Sequence, residues 1–153
     1  MSDEAVKKQL STKPVVTTYA LVFADGSVAR SQVVDGCEAK AFLDLEKKHG
    51  RFTAHKADPS LFPADDEFRA AWRFNGGKIG HDMAKAREIH RDRIRRHRAE
   101  LLAVLDIHFM RAVEEGADTK AISAEKKRLR DAPADPRIDA AQTVDELKAI
   151  WPL

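Results

Sequence analysis

From Met83 to Glu114 the chain runs for 32 residues without a proline or a glycine. Asp82 before it can cap a first turn, and Gly116 after it suits a helix stop. Read as one helix spanning about 82–115, it extends about 48 Å at 1.5 Å per residue. A compact globule of 153 residues has a radius of gyration of about 15 Å, hence a diameter of about 40 Å. Such a helix is longer than the body that has to hold it. Its halves also differ. Leu101–Val113 (LLAVLDIHFMRAV) is apolar nearly all round, which calls for cover on several sides. Arg87–Arg98 (REIHRDRIRRHR) carries six arginines, with Ile89 and Ile94 its only large apolar residues. That half is expected to project into water or to lie against a partner.

The stretch before the helix reads as strands. Val15–Phe23 (VVTTYALVF) is β-branched and aromatic, with Tyr19, Leu21 and Phe23 on one face. Asp25-Gly26 separates it from Val28–Val34, the signature of a hairpin whose glycine takes the positive φ of the turn. Glu38–His49 has helical spacing, with Ala41, Phe42 and Leu45 on one face and Gly50 at its end. Arg51–Lys56 suits a third strand, giving a ββαβ unit at 14–57 behind a polar arm at 1–13. Residues 58–67 hold two prolines and no periodicity and read as a linker or wrapped loop. In 68–153, Asn75-Gly76 marks a short hairpin. A second helix restarts at Asp118 or Thr119 and reaches about Asp131. DAPADP reads as turns, and Thr143-Val144-Asp145-Glu146 is a capping box for a last helix ending near Trp151. The fold class expected is α+β.

Composition narrows the function classes. Apolar residues make up 43% and charged residues 34%, enough to build a core beneath a heavily charged surface. The opening MSDEAVKKQLSTK has no apolar run of the kind a signal peptide needs, and no 18-residue apolar stretch occurs. Cys37 is the only cysteine, so no internal disulfide forms. The net charge of +2 does not by itself call for nucleic acid.

Each candidate chemistry has a plainer counterpart. Arg91, Arg93, Arg95, Arg96 and Arg98 could meet phosphates. Yet Glu88, Asp92 and Glu100 interleave with them, and no aromatic residue is placed for base stacking. A protein-contacting face is the stronger reading. His90, His97 and His108 share a stripe but stand two or more turns apart, too far for one ion, since a helix chelates through i,i+4 pairs. No metal or cofactor is expected. No nucleophile, base and acid set is recognisable around Cys37, and the Gly76-Gly77 pair fits a turn rather than a phosphate loop, so no enzyme and no small-molecule substrate is expected. Asp65-Asp66-Glu67 fits a local turn. Trp72 and Trp151 are either core or partner-facing anchors. The interaction set expected is Ile89, Ile94, the five arginines from Arg91 to Arg98, Trp72 and Trp151.

Several stretches carry a resemblance. FRAAW at Phe68–Trp72, DMAKAREIHRDRIR from Asp82, LDIHFMRA to Ala112, LRDAPADP from Leu129 and AQTVDELKAIWP to Pro152 occur in order. They resemble a C-terminal module of tailed-bacteriophage and prophage tail proteins, over residues 68–152. The resemblance implies a structural, protein-binding component of the virion, near the tail tip or baseplate and connecting tail fibres. It would be assembled in the host cytoplasm beside other phage tail proteins in an oligomeric or symmetric assembly. A tail or tail-fibre assembly chaperone absent from the virion is the alternative within that resemblance. A nucleic-acid-binding regulator using Arg87–Arg98 is the alternative of another class. The family pattern contains no catalytic motif.

Overall fold

The computed structural model describes residues 13–64 and 66–152. Asp65 and all of the polar arm but Lys13 lie outside the described residues. The architecture is α+β, with antiparallel strands first and helices after them. The chain divides into two units, one ending at Gly80 and the other starting at His81.

Strand β1 (Val16–Phe23) is the centre of the first unit. It pairs antiparallel with β2 (Val28–Val34), Val16 opposite Val34 and Val22 opposite Val28. Ala24, Asp25 and Gly26 form the loop closed by Phe23 and Ser27. Phe23 N–H donates to the Ser27 carbonyl (3.0 Å), Gly26 N–H donates to the Phe23 carbonyl (2.9 Å), and Gly26 has φ +78°. That is the left-handed position a three-residue hairpin requires. Asp25 accepts hydrogen bonds from the Ser27 hydroxyl and backbone N–H, which hold its carboxyl below the usual range. Helix α1 (Glu38–His49) leads to β3 (Phe52–Lys56), which pairs antiparallel with the other edge of β1, giving the order β2-β1-β3.

Alternation along β1 sends Tyr19 and Leu21 to one face and Ala20 to the other. The first face packs with Val33 under α1, where Phe42 meets Tyr19 and Phe52 edge-on at ring-centroid distances of 5.0 and 5.9 Å. The second face is covered by residues expected as a linker. Asp58 accepts from the Ser60 N–H (2.8 Å), starting a 3-10 turn at Pro59–Leu61 that delivers Phe62 against Trp72 and Ala20. Phe62, in the stretch expected as a linker, is therefore core. Strands β4 (Trp72–Asn75) and β5 (Lys78–His81) form the second hairpin, turning on Gly76 and Gly77, both at positive φ.

In the second unit, α2 (Met83–Glu114) is one continuous helix of 32 residues, capped by Asp82, which accepts from the Lys85 N–H at 3.1 Å. Helix α3 (Lys120–Asp131) follows, then a 3-10 turn at Ala132–Ala134, α4 (Pro136–Ala140) and α5 (Val144–Ala149). DAPADP thus folds into helical turns rather than open ones. Asp135 caps α4 by accepting from the Arg137 N–H (2.9 Å), the proline sitting at the first helical position where no N–H is missed. The capping box forms with one shift. Thr143 accepts from the Glu146 N–H (3.2 Å), but Glu146 accepts from the N–H of Gln142, one residue before the cap. The core gathers Ala86, His90 and Ile94 of α2 with Leu129, Ile138, Leu147 and Ile150.

Candidate protein-binding surface

The arginine-rich half of α2 is the half that the chain itself covers. Ala86, His90 and Ile94 recur every four residues, and all three have no exposure. Around this stripe the arginines reach the segments after α3. Arg87 donates to the Ala141 carbonyl (2.8 Å), and Arg91 pairs with Asp139 (2.5 Å). Arg98 donates to the carbonyls of Leu129 and Arg130, two acceptors that the end of α3 leaves without helical partners. His90 Nε2 lies 2.8 Å from the Ile150 carbonyl. A carbonyl only accepts, so that nitrogen carries the proton.

These contacts correct the expectation for Arg87–Arg98. Ile94 is core and unavailable to a partner, while Ile89 is half-buried. Arg93 lies with its guanidinium 5.9 Å from the Trp151 ring centroid. Arg95 pairs with Asp92 (2.6 Å), and Arg96 donates to the Asp92 carbonyl (3.3 Å) on the exposed side. Trp72 is 2% exposed in the core of the first unit and is no surface anchor. Trp151 is 42% exposed, beside His90 and His97. Isoleucine is the only core signal this half carries in its sequence, yet alanine, histidine and arginine stems line the seam with guanidinium heads capping carbonyls.

The apolar half of α2 is the open one. Leu101, Val104, Ile107, Met110 and Val113 are 36%, 51%, 54%, 57% and 53% exposed. Leu102, Leu105, Phe109 and Ala112 form the stripe turned toward α3, and each is only half-buried. Lys126 of α3 marks this seam, its ammonium 4.8 Å from the Phe109 ring centroid and 2.5 Å from Asp106. Leu101, in the segment expected to be covered on several sides, is therefore partly open. Among the described residues α3 covers one side of this segment, and Leu101, Val104, Ile107, Met110 and Val113 lie off that side.

Other candidates separate. The three histidines of the α2 stripe sit in different settings: His90 in the core, His97 beside Trp151 (5.6 Å between centroids) and His108 exposed. Cys37 is an exposed thiol at the start of α1. A cleft of about 350 Å³ in the first unit is lined by Val28, Arg30, Asp66, Arg69 and Trp72, with Arg30 already paired to Asp66 at 3.0 Å. Among the described residues no helix is long and apolar enough to cross a membrane. No family model matches the chain, and no curated protein or solved structure is significantly similar to it.

Proposed function

We propose that this chain is a structural, protein-binding component of a bacteriophage tail. The observation that carries the binding role is the row of open apolar side chains from Leu101 to Val113 on a helix continuous with a well-packed core. Water-facing apolar residues occur singly on most proteins, but a contiguous set of five on one helix is the mark of an interaction site. The tail itself, with a place near the tip or baseplate, is what the resemblance over residues 68–152 implies. Nucleic-acid regulation is the weaker reading, because Arg87, Arg91, Arg95 and Arg98 spend donors on protein carbonyls and carboxylates. Mass spectrometry of purified particles tests the proposal, with peptides of this chain expected at a stoichiometry matching a tail protein. Recovery only from infected-cell lysate, bound to tail proteins but absent from particles, would instead make it an assembly chaperone. Absence from both overturns the reading.

A further inference from the structure

The charge pattern along α2 identifies what covers the part of its open surface around Val104 and Ile107. Arg93, His97, Glu100, Val104, Ile107, Arg111 and Glu114 recur at alternating spacings of four and three, so they form one straight stripe on the helix surface. It lies well round the helix from the α3-facing stripe of Leu102, Leu105, Phe109 and Ala112, so α3 leaves it open. Its middle is apolar, with Val104 and Ile107 both more than half exposed. Glu100 and Arg111 flank that middle, and neither makes an ion pair or side-chain hydrogen bond among the described residues. Glu114 and Glu115, at the acidic end, are likewise unpaired. The other end is basic.

The geometry points to a second copy of this chain, its α2 lying antiparallel on the first about a two-fold axis between Leu105 and Asp106. This rests on the protein-binding reading above and names the partner. In that register Val104 meets Ile107 of the other copy twice. Glu100 meets Arg111, His97 meets Glu114, and Arg96 meets Glu115, each pair also repeated by the axis. Every opposed charge is of opposite sign. A parallel pair would instead set Arg111 on Arg111 and Glu114 on Glu114. Sliding the antiparallel pair by one helical turn in one direction sets Glu100 on Glu114, and in the other sets Arg111 on Arg96. Like charges directly opposed are destabilising, so one register stands out. The length also fits. The other copy's α2 ends at Glu114, level with His97, and just beyond His97 this face is covered by Trp151, whose ring lies near His90, Arg93 and His97. The pairing is isologous, as a closed dimer requires.

Sedimentation equilibrium of the full chain tests it, with far-UV circular dichroism of each variant as the folding control. The wild type is expected to dimerise reversibly. Glu100→Arg and Arg111→Glu should each weaken the dimer by roughly tenfold, since each sets like charges opposite one another twice. The double variant should return to within roughly threefold of the wild type. Within one chain these residues are three turns apart, about 16 Å along the axis, so such a recovery arises only between chains. A wild type that stays monomeric at about 100-fold above a typical micromolar dissociation constant overturns the pairing. So do helical single variants that dimerise like the wild type, or a helical double variant that stays as weak as the singles. A monomeric chain found in particles would overturn the pairing and leave the tail reading standing. A dimer absent from particles would do the reverse.

Discussion

His90 is an imidazole with no exposure among apolar neighbours, and it is tolerated because its Nε2–H donates to the carbonyl of Ile150, near the last turn of the chain. His90→Leu leaves that carbonyl without its donor and is expected to cost about 1–3 kcal/mol. Four residues on, Ile94→Ala opens a cavity where nothing is exposed and is expected to cost about 2–5 kcal/mol. Chemical denaturation of the two variants measures both losses; values near zero would mean that α2 is not packed here. Asp135 works differently. Hydrogen bonds from the Arg137 side chain, then from its backbone N–H, hold the Asp135 carboxyl below its ordinary 3.8. A lowered folded value means the unfolded chain binds the proton more readily. The stability it contributes is present above that ordinary value and is lost as pH falls through the depressed one. Asp135→Asn should therefore lower Tm at neutral pH, and the gap to wild type should close as pH falls below the ordinary 3.8 and through the depressed value. A gap independent of pH would deny the charged form a role.

Among the elements, α2 does two jobs along one length. Its first half is the wall of a core, and its second half is one arm of a two-helix hairpin with α3. Leu129 of α3 is 1% exposed and Leu105 of α2 only half-buried. Leu129→Ala is expected to cost about 2–5 kcal/mol, but Leu105→Ala about 1 kcal/mol in the monomer, because its site is already open to water. Equal losses in urea titration would mean that the hairpin is closed by something within the chain. In the first unit β1 is buried on both faces, although its sequence alternates little between large and small. Tyr19 and Leu21 announce one face, while Ala20 and Thr18 do not announce the other.

For the molecule as a whole, the C-terminal stretch is the element on which the helical unit depends. Leu147 and Ile150 complete the core around Ile94, the Ala141 carbonyl holds Arg87, and the Pro152 carbonyl accepts from Arg128 at 2.7 Å. Ending the chain after Ala140 should therefore cause loss of cooperative unfolding in the 81–140 region, read by hydrogen exchange of the Ala86–Ile94 amides. Retained protection there would show the core to be complete without α5. Self-pairing through α2 adds a signature at this scale. The wild-type Tm should rise with protein concentration, and the rise should shrink with added salt as the charge pairs are screened. A concentration-independent Tm would count against an associated state.

The sequence by itself determined the elements: the hairpin at Asp25-Gly26, the unbroken helix from Met83 to Glu114, and the caps at Asp82 and Thr143. Each of these is a local matter of φ, side-chain reach and period, written within a few residues. Local pattern also marked Leu101–Val113 as needing cover on several sides. Only the tertiary structure decided who covers what. Few large apolar residues point the arginine half outward, yet distant residues such as Leu147 and Ile150 are buried with it. Apolar residues nearly all round point the other half inward, yet among the described residues α3 alone packs along it. A hydrophobic pattern states how much surface must leave water. Which segment takes it is a question of long-range partners, and those are fixed by shape and charge across sixty residues or between two chains.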